Sequence, residues 1–394
     1  MKLNRSISFI LGLFLMLAAG PVMAKDTVEV AFIGPLTGGV SAIGVGGRNS
    51  ADLAVKLRNA DPKAKYHYEL VVLDDECKPN AGVQVATKAA ANKKIIAAAT
   101  QYCSVVALAS VDVYHKFGLP VVVWGAVHPD ITYGNDYKEV HRINGTMINQ
   151  NDVAAKFITG LGYKTWVTLY DTTDYGKGMN EYFSKYLKEN GGKILGSFGV
   201  TSDQQDFTAE LTQAKKLNPD VIWFGGLTPL GVRIRLQMEK LGLTSQFQSC
   251  SGIISDAFIT GTGNLGEGTI AFREGEPVEN LPGGKWFLDE YGKAGYKEAP
   301  DAFGPFAFAA MELILDVIEE VGPTRKAVVK RMENINGYKA IVGSVTFDEH
   351  GQNTSPAITK YVVQDGKWVP WQNSEYASGK RKLKRSEERR VGKE

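Results

Sequence analysis

The sequence predicts an α/β protein built from two doubly wound units, and three observations lead to that fold class. Short runs rich in Val and Ile alternate with segments of helical periodicity, which is typical of βαβ units around a mostly parallel sheet. The alternation begins again after Arg142-Ile143-Asn144-Gly145. Once both ends are set aside, about 355 residues remain, which is more than one compact core usually holds.

The elements follow in two series. In the first unit we predict strands at 28–33, 68–73, 94–98 and 119–124, with helices at 50–59, 81–92 and 104–116 between them. In the second we predict helices at 151–161, 176–190, 206–217 and 229–241, and strands at 166–170, 194–200 and 221–224. Two more helices are predicted at 303–321 and 324–332, and a chain that crosses between units could return them to the first.

Both ends of the chain are expected to lie outside the fold. Residues 1–24 have a positive start, an apolar run and the small-residue cleavage site Val22-Met23-Ala24, which predicts a signal peptide and a periplasmic protein. The apolar run is too short for a membrane anchor. Residues 380–394 are expected to be a non-native tail, because RSEERRVGKE at 385–394 resembles a translated sequencing-library adapter. A solvated basic tail is the alternative.

The charge of the body differs from that of the whole chain. The net charge of the whole chain is +2. The leader contributes +2, and the tail contributes +5 because it has eight basic and three acidic residues. Residues 25–379 therefore carry a net charge of −5. A mildly acidic body has no electrostatic footprint for DNA or RNA. No nucleic-acid partner is therefore expected.

Three cysteines bear on stability. In an oxidising compartment Cys77 and Cys103 can form a disulfide, which is expected to stabilise the fold by roughly 3 kcal/mol on the chain-entropy model. Cys250 would remain a free thiol. No second Cys or His stands at ligand spacing from any of the three, so no metal site is expected.

Enzyme interpretations fail on context. Gly44-x-Gly46 after a strand and Asp74 after the next suggest a dinucleotide site, but the glycines come too late after the strand and the third glycine of the fingerprint is absent. None of the five His residues belongs to a hydrolase or metal signature. The protein is expected to be no enzyme and to use no cofactor.

Five collinear segments carry a family likeness. They are VAFIGPLTGGVSAIGVGG at 30–47, DDEC at 74–77, QYCS at 101–104, YGKG at 175–178 and GSVTFD at 343–348. Together they resemble the branched-chain amino-acid-binding (Leu/Ile/Val-binding) family, which belongs to the type I periplasmic solute-binding proteins of ABC transporters. The likeness covers nearly all of residues 28–370.

That resemblance implies two Rossmann-like lobes joined by three crossovers, with the ligand in the cleft between them. The first lobe would be residues 25–145 plus 275–355, and the second 146–274 plus 356–379. It further implies the substrate-binding component of an ABC importer, a monomer whose partners are a small-molecule ligand and an inner-membrane permease. A sensor that passes its ligand to a receptor remains an alternative. Open parallel sheets independently favour a ligand beyond the carboxyl ends of their strands.

The resemblance also assigns ligand contacts in the first lobe. Ser104, beside Tyr102, would hold a ligand carboxylate with its hydroxyl and backbone N–H, or it could simply cap its helix. The opposite wall would be Gly125, Ala126 and Val127, and the hydroxyl that the family places at Val127 to hold an ammonium is missing. His128 could add a polar group or lie on the surface.

In the second lobe Tyr175 matches the family's ligand-contacting Tyr, and Leu227 stands where an aromatic contact is common. Ser251 replaces the acid that holds the ammonium of an amino acid, and the nearest acid is Asp256. Burying an ammonium without a carboxylate costs several kcal/mol.

The expected ligand is therefore a small carboxylate or amide-like solute, aromatic ones included, without an α-ammonium group. The remaining apolar lining would come from Ile43, Leu227 and Phe303. Arg48 and Arg273 could neutralise an anion or be exposed structural residues. An amino acid with a shifted ammonium site is the alternative.

Overall fold

The computed structural model describes residues 25–354 and 357–384 of the 394-residue chain. The predicted leader at 1–24 and residues 385–394 of the predicted tail lie outside the described residues. No helix in the described part of the chain is long and apolar enough to cross a membrane.

The first sheet has five parallel strands in the order β2-β1-β3-β4-β5. Its strands are β1 (Thr27–Gly34), β2 (His67–Asp74), β3 (Ile95–Thr100), β4 (Val121–Val123) and β5 (Val140–Arg142). The helices of this stretch are α1 (Ser41–Ala60), α2 (Pro79–Ala91), α3 (Ser104–Phe117) and α4 (Asp130–Tyr133). The continuous apolar run of β4 is fully buried, as expected for a parallel strand covered on both faces.

The second sheet has seven strands in the order β14-β13-β10-β9-β8-β6-β7. Its parallel part contains β6 (Thr165–Asp171), β7 (Lys193–Val200), β8 (Val221–Gly225), β9 (Gln246–Ser249) and β10 (Ile270–Glu274). The strands β13 (Ile358–Gln364) and β14 (Lys367–Pro370) add to it antiparallel. The helices are α5 (Met147–Gly160), α6 (Asp174–Glu189), α7 (Thr208–Leu217), α8 (Thr228–Lys240) and α9 (Asp256–Thr262).

The chain crosses between the sheets three times. It passes from β5 to α5, returns after β10, and passes again to β13. On the return it forms α10 (Gly284–Lys293), α11 (Gly304–Val321), α12 (Arg325–Met332) and the hairpin β11 (Tyr338–Ala340) and β12 (Gly343–Val345). Helix α11 packs along α1 and against β3 and β4, so it belongs to the first lobe. The predicted fold of two doubly wound lobes joined by three crossovers is confirmed.

The crossovers are joined by hydrogen bonds. Arg142 is fully buried, and its guanidinium donates to Gln352 Oε1 at 2.5 Å, to the carbonyl of His128 at 2.6 Å and to Thr132 Oγ1 at 2.8 Å. The backbone N–H of Gly275 donates to the carbonyl of Ala357 at 2.7 Å. Three strands that pair at one place form a natural hinge.

The predicted disulfide is confirmed. Cys77 and Cys103 are bonded, with 5.6 Å between their Cα atoms, and Cys250 is a buried free thiol. The bond joins the turn after β2 to the residue that immediately precedes α3.

Helix α1 begins at Ser41, nine residues before the predicted start at 50. The intervening glycines weaken a helical pattern in sequence, but packing requires them. A Cβ atom at Gly44 would lie 1.8 Å from the carbonyl oxygen of Pro35, and one at Gly46 would lie 2.6 Å from that of Pro300. The glycine pair therefore serves helix packing.

Seven strands, β5 and β9 to β14, were not among the predicted elements. β9 reads QFQS and β10 reads IAFRE, and every residue of both is buried. Their polar residues hide them from a pattern based on apolar runs.

The second lobe extends beyond residue 379. Arg381 pairs with Glu267 at 2.9 Å, with Asp365 at 2.8 Å and with Glu375 at 2.6 Å. Leu383 packs against the apolar cluster that contains Trp166. A boundary at 380 would cut these contacts, so the described residues up to 384 pack with the second lobe.

Candidate functional site

A cavity of about 350 Å³ lies between the carboxyl ends of the two sheets. Both lobes line it through the segments that follow their strands, which is where open parallel sheets place ligands. The lining residues are Gly39, Val40, Glu76, Cys77, Lys78, Tyr102, Cys103, Ser104, Val105, Gly125, Val127, Asp171, Thr173, Tyr175, Ser202, Leu227, Pro229, Leu230, Arg233, Ser251 and Phe303.

The lobes touch each other around this cavity. A Cβ atom at Gly39 of the first lobe would lie 2.9 Å from Cγ of Pro229 in the second. Across the cleft, a Cβ atom at Gly178 would lie 3.2 Å from the imidazole of His128. The lobes are therefore in contact at two places beside the cavity.

Eight of the ten sequence-predicted site residues line the cavity. They are Tyr102, Ser104, Gly125, Val127, Tyr175, Leu227, Ser251 and Phe303. Their contact with a ligand stays a prediction, since geometry places them at the cavity without showing what they bind.

Ile43 and Ala126 are not among the lining residues. Ile43, in the first turn of α1, is 3% exposed and belongs to the first-lobe core that contains Phe32. Ala126 is fully buried, and its backbone N–H donates to the carbonyl of Gln101 at 3.0 Å. The expectation that these side chains line the cleft is not met, because both pack into the first lobe.

The first-lobe wall is built around the start of α3. Ser104 Oγ accepts hydrogen bonds from the backbone N–H groups of Val127 and His128, both at 3.2 Å. The hydroxyl does not cap the helix, because the residue at the cap position is Cys103. The backbone N–H groups of Ser104 and Val105 donate to no atom among the described residues. A helix N-terminus with free N–H groups attracts an anion.

Aromatic rings form the apolar part of this wall. The Tyr102 ring stacks on Trp124 with 5.9 Å between centroids and meets Phe303 edge-on at 5.2 Å. Trp124 in turn stacks on Phe32 at 5.4 Å. Such a packed stack holds the two cavity-lining rings, Tyr102 and Phe303, in fixed positions.

The second-lobe wall is built from side chains. Tyr175 Oη accepts the backbone N–H of Gly252 at 3.1 Å and lies 3.2 Å from Cys250 Sγ and 3.5 Å from Ser251 Oγ. Ser251 Oγ also accepts from Nε2 of Gln150 at 2.9 Å. All these groups are buried.

Behind this wall stands a carboxyl group. Gln150 Nε2 donates to Glu274 Oε1 at 2.5 Å, and Glu274 is fully buried at the end of β10. Burial raises the pKa of Glu274 to about 7. Sequence reasoning missed both residues, because they lie 101 and 23 positions from Ser251 and neither belongs to a motif.

Charged residues at the cavity were missed as well. Asp171 ends β6, and its Oδ1 accepts the backbone N–H of Thr173 at 3.0 Å. Burial raises the pKa of Asp171. Its position after a predicted strand was the signal that could have found it. Asp256, the acid named from the sequence, is exposed and does not line the cavity.

Arg233 brings a cation to the same cavity. Its Nη1 donates to the carbonyl of Gln204 at 3.2 Å, and the ion pairs of the described residues do not include it. Lys78, by contrast, pairs with Glu76 at 2.8 Å. The cavity therefore offers one cation without a carboxylate partner.

The other polar candidates lie elsewhere. Arg273 Nη2 donates to the hydroxyl of Tyr361 at 2.9 Å, and neither Arg273 nor Arg48 lines the cavity. His128 is half-buried and faces Asp130 at 3.9 Å. Within residues 25–354 and 357–384, no group of three or more His, Cys, Asp or Glu could hold a metal ion.

Comparison with known proteins shows which family this sequence resembles. Residues 27–367 match the family model described as periplasmic binding protein. The chain is 29% identical over 342 residues to the leucine-, isoleucine-, valine-, threonine- and alanine-binding protein of Pseudomonas aeruginosa, covering 86% of this chain and 90% of that protein.

Solved structures of similar proteins share the fold. A leucine-binding protein from Thermotoga maritima superposes with a TM-score of 0.80 at 25% identity, covering 92% of this chain and 99% of that one. A solute-binding protein of an ABC transporter from R. palustris, solved with benzoate, superposes with a TM-score of 0.78 at 19% identity, covering 88% and 95%. The latter likeness shows the fold alone.

Proposed function

Because the chain belongs to the periplasmic binding protein family, we propose that it is the substrate-binding component of an ABC importer that captures a small carboxylate lacking an α-ammonium group. The observation that carries the proposal is the cavity between the lobes, lined from both of them, with the free N–H groups of α3 at its first wall. Residues 1–24 would direct the protein to the periplasm, where an inner-membrane permease would receive the closed form.

The polar groups of the cavity favour an anion. The backbone N–H groups of Ser104 and Val105 are donors, and the hydroxyl of Ser104 has a hydrogen left to donate because its oxygen already accepts two bonds. A carboxylate offers several acceptor sites to such a set. The volume of about 350 Å³ lies near the lower end of small-molecule pockets, which suits a ligand the size of a short-chain or single-ring acid.

The hinge provides the closing motion. The three crossovers pair with one another through Arg142, Gln352 and Gly275, while the lobes meet at Gly39 and Pro229. A ligand that contacts both walls stabilises the closed form over the open form by the free energy of contacts that exist only when the lobes meet.

An amino acid is the second candidate, and Asp171 is the observation that favours it. The carboxyl group of Asp171 lines the cavity and could pair with an ammonium shifted away from Ser251. Several curated relatives, including the Pseudomonas protein, are named as amino-acid-binding proteins. Against this candidate, one oxygen of Asp171 is held by Thr173, and burial disfavours its charged form.

Ligand pairs that differ by one amino group separate the two candidates. We would titrate the protein with 4-methylpentanoate against leucine, and with 3-phenylpropanoate against phenylalanine, by calorimetry, after a thermal-shift screen that includes benzoate. The proposal expects the acid to bind more tightly in each pair. Tighter binding of the amino acids would support the second candidate, and a chain that binds no acid or amino acid would contradict the proposed function.

An Asp171→Asn variant sharpens the result. If an ammonium pairs with Asp171, amino-acid affinity falls by an order of magnitude or more in the variant, whereas the affinity for the acids changes little.

A further inference from the structure

We propose that Gln150, oriented by the buried Glu274, occupies an acceptor site of Ser251, so that the second-lobe wall offers a hydrogen to an oxygen of the ligand and only one neutral lone pair to an ammonium. This inference rests on the proposed function and names the residues that set its ligand class. Gln150 and Glu274 act through Ser251 and are positioning residues.

The orientation of the Gln150 amide is determined by its neighbours. Its Oε1 accepts the backbone N–H of Ser251 at 3.1 Å, while its Nε2 donates to Glu274 Oε1 at 2.5 Å and to Ser251 Oγ at 2.9 Å. The flipped amide would place an oxygen against the carboxyl group of Glu274 and an NH₂ group against the N–H of Ser251. The contact with the N–H of Ser251 would be repulsive in either protonation state of Glu274, so a single orientation remains.

Glu274 cannot move away from this role easily. It is fully buried at the end of β10, a strand paired on both sides, and its second oxygen has no partner among the described residues. Either protonation state leaves an acceptor oxygen for Gln150 Nε2, so the orientation of the amide holds in both.

The orientation of the Gln150 amide limits which partners the hydroxyl hydrogen of Ser251 can have. Ser251 Oγ already accepts from Gln150, and its contact with Tyr175 Oη, at 3.5 Å, is at the limit of a hydrogen bond. Tyr175 Oη accepts from Gly252 and lies closer to the Cys250 sulfur, at 3.2 Å. A ligand oxygen in the cavity that Ser251 lines would therefore be a better acceptor for the Ser251 hydrogen than Tyr175, and one lone pair of Ser251 Oγ remains.

This polarity discriminates between ligands. A carboxylate, carbonyl or hydroxyl oxygen can accept the Ser251 hydrogen. An ammonium at the same place would find a single lone pair of a neutral hydroxyl for its three hydrogens and no counter-charge, which is costly away from solvent. The same wall thus favours an acid over its α-amino derivative.

An exchange of the two positioning groups tests the inference. In the double variant Q150E/E274Q the amide and the carboxyl change places, so the buried charge is conserved. The introduced carboxylate at 150 cannot donate, and Ser251 would give it the hydrogen and turn its own lone pair towards the cavity. We expect the affinity ratio of 4-methylpentanoate over leucine to fall at least about tenfold, measured by calorimetry.

Two single variants complete the experiment. In E274Q an amide oxygen still accepts from Gln150, so the ratio should stay within about twofold of the wild type. In Ser251→Ala the acid should lose about tenfold or more in affinity, while leucine should lose little.

The outcomes are distinct. An unchanged ratio in a folded Q150E/E274Q protein, or an acid affinity unaffected by Ser251→Ala, overturns the inference and leaves the proposed function standing. If the double variant does not fold, Ser251→Ala decides alone. A wild-type protein that binds leucine more tightly than 4-methylpentanoate contradicts the proposed function itself.

Discussion

The two walls of the cavity are made in different ways. The polar part of the first-lobe wall comes from one short stretch at the start of α3, where backbone N–H groups and Ser104 face the cavity and the Cys77–Cys103 bond fixes the start of the helix. The second-lobe wall comes from the side chains of Tyr175 and Ser251, which are held by groups distant in sequence.

The difference separates affinity from selectivity. A helix N-terminus attracts any small anion, because its N–H groups and dipole do not depend on the side chains of the helix. A side-chain wall can distinguish an oxygen from a nitrogen, because each hydroxyl is either a donor or an acceptor at a given place. We therefore expect changes in the first wall to weaken all ligands together and changes in the second to alter their ranking.

The largest expected effect concerns the support of the first wall. Replacing Cys77 and Cys103 by Ser removes the bond that closes the loop between them. We expect a loss of roughly 3 kcal/mol of stability and a melting temperature lower by roughly 6–12 °C in calorimetry. Reducing agent should reproduce the shift in a Cys250→Ala protein, which keeps the bond. Identical melting curves for wild type and double variant would show that the bond does not stabilise this wall.

The next effect is on affinity. Ser104→Ala removes a hydroxyl from the first wall and should weaken binding of the acid ligands by about 1–3 kcal/mol, with little change in their ranking. The matched control is Ser110→Ala on the same helix. The hydroxyl of Ser110 accepts a hydrogen bond from Gln101 Nε2 at a distance of 3.2 Å, and Ser110 does not line the cavity. Equal calorimetric affinities for the two variants would remove Ser104 from the site.

The last expected effect is a pH dependence shared by the two lobes. Burial raises the pKa of Glu274 and of Asp75 in the first lobe to about 7. Between about pH 4.5 and 7 the folded protein keeps protons that the unfolded chain releases, so these groups make stability fall as the pH rises.

Glu274→Gln and Asp75→Asn should each flatten that fall, when urea unfolding is followed at pH 5, 6 and 7. The two contributions should add, because the residues lie in different lobes. A slope unchanged in both variants would place the pKa values of these carboxyls near their ordinary range.

Much of the fold follows from the sequence, because its strands are short apolar runs between amphipathic helices. The stretch 121–123 is an example, and it lies inside the predicted strand at 119–124. Where strands carry buried polar residues, as Gln246 and Gln248 do in β9, the same pattern gives no signal, although Gln246 Nε2 donates to the carbonyls of Phe247 and Gly268. The early start of α1 was missed because its glycines are required by close contacts with residues far along the chain, such as Pro300.

The site residues also differ in how well the sequence predicts them. Ser104 could be found because a short motif surrounds it. Asp171 needed the rule that strand ends meet at the cleft. The roles of Gln150 and Glu274 depend on distances between residues more than 100 positions apart, which no local pattern contains.

A crystal structure of the complex with the tightest-binding acid of the screen tests the two-wall interpretation most directly. We expect one ligand carboxylate within hydrogen-bonding distance of the backbone N–H groups of Ser104 and Val105. A ligand oxygen should stand against Ser251 Oγ, with Gln150 still bridging Ser251 and Glu274. A ligand outside the interlobe cavity, or a nitrogen donor of the ligand seated against Ser251, would contradict it.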